Sequence, residues 1–484
     1  MFKRLDSLLP SVAAGCLISL TAVNTLQAKE LLETLIVTGE APAPALADRV
    51  MVNKAADFHP GVRLDAAELL QNLPGVQVDS RSNYAQDTRI SLRGFGARSA
   101  FGVRGLDLQV DGIPMSTPDG QGQLGSVILD NIERVEVLRG PIAGLYGNGA
   151  GGVIALQTAA PEVSRLTVTA AAGDPGLERQ TLAGEWRQGD AAARLQLANT
   201  QVDGERPHSS AERQQAVAQV YHRTANQMDI TLKHEYNRDP LLQDPLSLRP
   251  DEWRNNPRQT NTIAETFNTR KTVDYEQTSV SLRQSQGTTR WQTSFWQGER
   301  AITQYLGFSG EAISGSGGVV DLTRDFAGAS ATLSQGFSLL GIAADLSGGL
   351  EVAQMEDRRR GFVNNNGVAG DLRRNELGKV DSLDGFALLQ LQPVTGLSLY
   401  SGGRRGRLEM EVDDYFVVTG NPDDSGTRDY RETAYAFGGN YQFNAQWELF
   451  ASRGRGYETP TLTEMAYRRQ GSGLNTALEA AINY

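Results

Sequence analysis

Four histidines, at 59, 208, 222 and 234, and one cysteine, Cys16, are all that the chain has of the residues that most often ligate zinc. The histidines form no HExxH pair and have no cysteine beside them, so neither a catalytic set nor a protein metal site is expected, and no cofactor is called for. Gly147-Asn148-Gly149-Ala150-Gly151-Gly152 fits the GxGxxG pattern of dinucleotide binding. That motif should follow a strand and open a helix. Here Val153-Ile154-Ala155-Leu156-Gln157-Thr158 follows, which is β-branched and strand-like, so the glycines are read as letting the backbone turn or pack closely. Two further glycine-rich stretches carry polar side chains. Gly94 to Gly105 holds Arg98, Ser99, Phe101 and Arg104, and Pro118 to Gln123 holds Asp119, Gln121 and Gln123. Two arginines and a ring suit a flat anionic ligand, through bidentate hydrogen bonds and stacking. The alternative is a solvated loop whose glycines matter only for turning.

The elements that carry these residues follow from composition and pattern. The chain has 484 residues, 39% hydrophobic and 21% charged, with a net charge of −11. Mean hydropathy is −0.36. A membrane-spanning helix needs about 20 mostly apolar residues, and only the N-terminus comes close. The acidic balance argues against broad nucleic-acid binding. The 52 glycines have no three-residue period, which excludes collagen. A soluble all-β protein and a membrane β-barrel remain. Lys3 and Arg4, the apolar stretch Leu8 to Leu26 and a small residue at Ala28 read as a secretory signal peptide over 1–28, with Cys16 inside it. Glu33-Thr34-Leu35-Ile36-Val37-Thr38-Gly39 is strand-like, and Ala41-Pro42-Ala43-Pro44-Ala45 is a stiff spacer. Such a tag either adds a strand to a partner's sheet or is a frayed first strand of the domain that follows. Residues 61–160 read as a compact mixed domain, with a short helix near Asp65 to Leu70 and strands separated by glycine-rich turns.

From residue 163 the apolar pattern has period two. Met228, Ile230, Leu232, His234 and Tyr236 share one face, and Asp229, Thr231, Lys233 and Glu235 share the other. About thirteen strands are expected between residues 164 and 456. Short turns fall near 189, 225, 287, 339, 394 and 445, and long polar loops at 202–211, 239–271, 302–320, 356–379 and 412–429. Strict alternation of short and long connections is the rhythm of an outer-membrane barrel. Aromatics near strand ends, such as Tyr236, Trp291, Trp296, Tyr400 and Trp447, fit interfacial girdles.

An ordered series of motifs then carries a family resemblance. Leu73-Pro74-Gly75-Val76, Arg89-Ile90-Ser91-Leu92-Arg93-Gly94-Phe95, Val110-Asp111-Gly112-Ile113-Pro114 and Ile132-Glu133-Arg134-Val135-Glu136-Val137-Leu138-Arg139-Gly140-Pro141 occur in turn, then Leu145-Tyr146-Gly147 and Gly151-Gly152-Val153-Ile154. The series resembles the plug domain of TonB-dependent outer-membrane receptors, and Glu33 to Gly39 resembles the TonB box. The resemblance implies a mixed α/β plug domain inside a transmembrane antiparallel β-barrel. A complete member would have 22 strands. The implied division is a signal peptide at 1–28, TonB box and linker at 29–60, plug at 61–162 and a partial barrel at 163–484. It implies TonB of the inner-membrane energising complex as partner, outer-membrane lipid and lipopolysaccharide as surroundings, and active import rather than enzymatic activity. Arg93 and Arg139 match the plug arginines that pair with barrel glutamates in the family, and Glu136 is a further member of that network. Ligand contacts are expected from Arg98, Ser99, Phe101, Arg104, Asp119, Gln121 and Gln123, with polar reach from Arg254, Asn255, Asn256 and Arg258 and from Arg358 to Arg360 with Asn364 to Asn366, which suit lipopolysaccharide contact equally. The two plug loops resemble a subgroup that takes up pyrroloquinoline quinone, a planar tricarboxylate; a ferric chelate such as ferric citrate is the alternative. A passive porin or adhesin and a soluble periplasmic β-protein are rivals from other classes. Residues 163–484 are 322 residues, and Glu458 to Glu464 resembles an outer loop rather than a final strand, so a truncated receptor is expected.

Overall fold

The computed structural model describes residues 50–54, 61–80, 82–97, 102–444, 446–466 and 474–484. The expected signal peptide, the TonB box Glu33 to Gly39, and Arg98, Ser99 and Phe101 lie outside these residues.

The N-terminal unit is built around a small mixed sheet. Its strands are β1 (Val50–Lys54), β2 (Val76–Asp79), β3 (Arg89–Leu92), β4 (Leu106–Val110), β5 (Ile113–Pro114), β6 (Ile132–Arg139) and β7 (Gly152–Thr158), with a short helix α1 (Ala67–Leu70) and a 3-10 turn at Pro141–Leu145. The main sheet runs β1-β6-β7-β4-β5, and β2 and β3 form a separate hairpin. β4 and β7 are parallel, and every residue of both is buried. Strands covered on both faces read as near-continuous apolar runs, and Leu106, Leu108, Ile154 and Leu156 join Val135, Val137, Leu69 and Leu70 in one core. The glycine run before β7 serves packing: a Cβ on Gly151 would run into Phe95, and one on Gly152 into Leu92. β1 falls in the span expected to be linker. It pairs with β6 over five residues, so the sheet begins earlier than expected and the backbone groups along that edge of β6 find partners.

The C-terminal unit is one antiparallel sheet of 14 strands in chain order. These are β8 (Arg165–Gly173), β9 (Leu177–Gln188), β10 (Ala191–Val202), β11 (Ala211–Arg223), β12 (Met228–Gln243), β13 (Arg270–Gln286), β14 (Thr289–Tyr305), β15 (Val319–Leu339), β16 (Ile342–Asn365), β17 (Val368–Val394), β18 (Leu397–Asp414), β19 (Gly426–Gln442), β20 (Glu448–Glu458) and β21 (Ala481–Asn483). All thirteen expected strands are present. The addition is β21, whose three residues are too few to show a period. One expected loop is corrected. Residues 356–379 are mostly strand, because β16 and β17 continue to a two-residue turn at Asn366 and Gly367, with φ of 49° and 89°. Asn-Gly is the pair that a two-residue hairpin favours. The strand ends look like loop because they are charged on the exposed side, where Arg358 pairs with Asp325 and Arg360 with Asp321 across neighbouring strands.

The sheet is inside out relative to a soluble sandwich. Along β10, Leu195 and Leu197 are exposed, while Arg194, Gln196 and Thr200 are buried. Val220, Leu232, Phe295, Leu350 and Leu383 repeat the exposed apolar face, and Gln219, Lys233, Glu235 and Gln277 the buried polar one. Apolar outside and polar inside is the pattern of a membrane barrel. No helix among the described residues is long and apolar enough to cross a membrane, which says nothing of strands.

Candidate functional site at the seam between plug and barrel

The N-terminal unit sits against the inward face of the large sheet through buried polar contacts. Lys233 Nζ on β12 lies 3.2 Å from Asp111 and 2.8 Å from Glu235. Asp111 also accepts the backbone N–H of Thr158 at 2.8 Å. Arg179 on β9 pairs with Asp130 at 2.6 Å and donates to Thr200. Lys271 on β13 lies 3.7 Å from Asp87. Asn83 and Gln86 both donate to Asp244, at 2.8 and 2.6 Å. Burial favours the neutral acid, but Lys271 and Arg300 hold the Asp87 carboxyl below the usual range. At Asp130 burial wins and the carboxyl is pushed up despite Arg179.

In these three ion pairs the plug supplies the carboxylate and the barrel the cation. The expected lock residues, Arg93 and Arg139, are cations on the plug side. Arg93 is exposed on the turn after β3, at φ 52°, and forms no ion pair among the described residues. Arg139 is half-buried at the end of β6. Glu136 is buried and pairs with Arg134 on its own strand. Asp87, Asp111 and Asp130 were not singled out, since a lone aspartate beside a turn looks like any turn residue.

One plug arginine does meet barrel glutamates. Arg104 is 4% exposed. It pairs with Glu458 at 3.2 Å and Glu464 at 3.1 Å, and donates to the carbonyls of Thr459 (2.7 Å) and Asp119 (3.1 Å). Asp119 is 1% exposed and accepts the backbone N–H of Leu462, at the start of the short helix Leu462–Met465. Asn148 donates to Thr459 Oγ1 at 2.6 Å and accepts the Thr459 N–H at 2.9 Å. Arg104 and Asp119, expected as ligand contacts, are thus consumed in a clasp that holds residues 458–464 to the plug loops.

Beside the clasp is a cavity between the plug loops and the barrel wall. Gln121, Gln123 and Tyr146 of the plug line one side, and Tyr275, Trp296, Arg300, Phe326 and Arg404 of β13 to β18 the other. A second cavity lies along the same wall and shares Tyr146, Glu351, Asp384 and Arg404 with the first. Asp107, on the plug side, has its carboxyl pushed up to about 6 by burial, only partly offset by Gln109 and Arg404. Of the expected ligand residues, Gln121 and Gln123 reach the cavity. Asn364 does not; it is 1% exposed and ties Phe267 to Leu306 through their carbonyls. Tyr275 and Arg300 are unremarked positions in period-two strands, whereas Trp296 and Tyr400, expected in an outward aromatic girdle, are buried, Trp296 on this wall. Among the described residues no group of three or more His, Cys, Asp or Glu could hold a metal ion.

A plug of mixed sheet packed against an inside-out antiparallel sheet defines a plugged outer-membrane barrel. The chain belongs to the TonB-dependent receptors: residues 47–154 match the TonB-dependent receptor plug domain and residues 186–484 the TonB-dependent receptor-like β-barrel. It is therefore an outer-membrane receptor chain and not an enzyme. It is 34% identical over 147 residues to a vitamin B12 transporter of Vibrio vulnificus, covering 29% of this chain and 23% of the relative. It is 33% identical over 164 residues to a hemin receptor of Yersinia enterocolitica, covering 31% and 22%. In structure it resembles the unliganded ferric citrate transporter FecA, with a TM-score of 0.68, 16% identity, and coverage of 84% of this chain and 62% of that one. The closed form of the ferric-catecholate import receptor Fiu from E. coli gives 0.66 at 18% identity, covering 90% and 70%. At such identities the structural likeness concerns the fold. The chain matches under a quarter of the length of those two curated relatives and under two thirds of FecA.

Proposed function

We infer that the receptor containing this chain imports a scarce small ligand across the outer membrane, using work delivered by TonB. The observation that carries this is the seating of the plug: discrete buried ion pairs tie it to the barrel wall, beside an apolar contact of Ile142, Leu145 and Tyr146 with Leu388, Tyr400 and Ala436. Such contacts are rigid when made and separable as a set. The outer membrane has no ATP, so release must be driven by pulling, and β1, an edge strand held by five residue pairs, is the end of the plug sheet that follows the TonB-box segment. Deleting Glu33 to Gly39 from the complete receptor tests this. Uptake should cease while surface binding persists; undiminished uptake would sink the coupling and favour a passive pore.

The ligand is read as a small flat anion such as pyrroloquinoline quinone. Support comes from the cavity, where aromatic rings and arginines face the plug loops. A ferric chelate is the second reading, favoured by resemblance to the ferric enterobactin receptor of Pseudomonas aeruginosa, 33% identical over 109 residues, 19% of this chain and 14% of that one. Binding of the quinone and of ferric citrate to the purified receptor separates the two.

A further inference from the structure

Four cations cluster on the inward faces of β11 to β15: Arg213, Lys271, Arg300 and Arg324. Three have their carboxylates, Arg213 with Asp239 at 2.8 Å, Lys271 with Asp87 at 3.7 Å and Arg324 with Asp357 at 2.6 Å. Arg300 is the one left over. It forms no hydrogen bond or ion pair among the described residues, and its Nε is buried without an acceptor. The charged groups facing it are Asp87, Asp239 and Arg324, with Tyr275 beside them. Asp87 and Asp239 are already committed to other cations. Its nearest opposite charge, Asp87, is shared with Lys271, and the half-buried guanidinium borders the cavity.

The rest of that wall is aromatic. Tyr275 and Phe326 stack with centroids 6.2 Å apart and planes 17° from parallel. Trp296 is 6% exposed. Two glycines make room for these rings against the strands: a Cβ on Gly328 would meet the indole of Trp296, and one on Gly298 the ring of Phe326.

We propose that Arg300 is a carboxylate-binding residue of this cavity, and that the Tyr275–Trp296–Phe326 wall beside it selects a flat aromatic acid. The proposal rests on the import reading and names the class of ligand that reading requires. The planar guanidinium offers a fork of donors that matches a carboxylate. Rings that exclude water strengthen that bond and provide faces for a conjugated ligand to stack on. A neutral ring leaves Arg300 without its counter-charge, and an aliphatic polyacid leaves the rings without a partner.

The test is equilibrium binding to the purified complete receptor, using pyrroloquinoline quinone and the matched pair quinoline-2-carboxylate and quinoline-2-carboxamide. Wild type should favour the acid over the amide by about tenfold to a hundredfold, the worth of a charge-assisted hydrogen bond. Arg300→Gln should remove that preference and weaken the quinone about as much. Arg300→Lys should retain part of both, which keeps the test decisive if the glutamine variant folds poorly. Trp296→Ala should weaken acid and amide alike. Arg407→Gln, at an exposed residue paired with Asp429, should change nothing. An acid-to-amide ratio unaltered in Arg300→Gln overturns the proposal, as does a wild type that binds the amide as well as the acid, or neither. The outcome is separable from the import reading, since deleting the TonB box should stop uptake and leave the ratio untouched. If uptake survives that deletion while the ratio behaves as described, coupling fails and the site stands.

Discussion

At the scale of single residues, burial decides role. Arg104 looked like a ligand hand because it is an arginine in a glycine-rich loop; buried against Glu458, it is a structural cation. Removing one partner of a buried pair leaves the other charge stranded, so Arg104→Ala should cost about 3–5 kcal/mol, measurable as earlier plug release in a urea titration. Asp107 gives a pH signature. Its carboxyl titrates near 6 in the folded plug, above its ordinary value of 3.8. Between those values the folded state holds a proton that the unfolded state has lost, so plug stability should fall as pH rises from about 4 to 6 and then level off. The fall should be of order 3 kcal/mol. Asp107→Asn should flatten that slope; an equal slope in the variant would show that another group is responsible.

At the scale of elements, turn chemistry sets how far strands run. Asn366 and Gly367 let β16 and β17 extend past the apolar belt into charged sequence, and Asn268 packs against Gly367. Gly367→Val should strain a positive φ and crowd Asn268. A loss of about 1–3 kcal/mol confined to the hairpin tip is expected, visible as faster proteolysis near residue 366 with the rest of the barrel intact. In the plug, Val52→Pro should unpair β1 from β6 because proline cannot donate to the ladder. Amide exchange at Arg134 to Leu138 should then speed up while β4 and β7 remain protected.

At the scale of the whole molecule, the plug is held unevenly. Its ion pairs to Arg179, Lys233 and Lys271 lie on β9, β12 and β13, and the cavities lie along β13 to β18. The clasp of Arg104 with Glu458 and Glu464 and the packing of Leu145 near Leu388 hold the far side, so the cavities lie between two attachments. Lys233→Met should therefore loosen the plug far more than Gln292→Ala on the cavity side, by about 3–5 kcal/mol against under 1. Protease access to the plug under mild urea reads the difference; equal effects would mean that the attachment is uniform.

Thirteen barrel strands, their two-residue alternation and the plug motifs were legible in the residues alone, because strand period, turn chemistry and glycine packing are local and repeat along the chain. The structural reading of Gly147 to Gly152 was legible for the same reason: what followed it was strand-like. What only the tertiary structure decided was who meets whom across the seam. Lys233 and Asp111 are 122 positions apart, and Arg104 and Thr459 are 355 apart. Such pairings depend on barrel register and plug orientation, which no short window contains. The same holds for Arg300, whose distinction is that its three neighbouring cations found carboxylates and it did not. A surplus charge is a property of a neighbourhood in space, and this one draws on strands from β11 to β16 and on the plug.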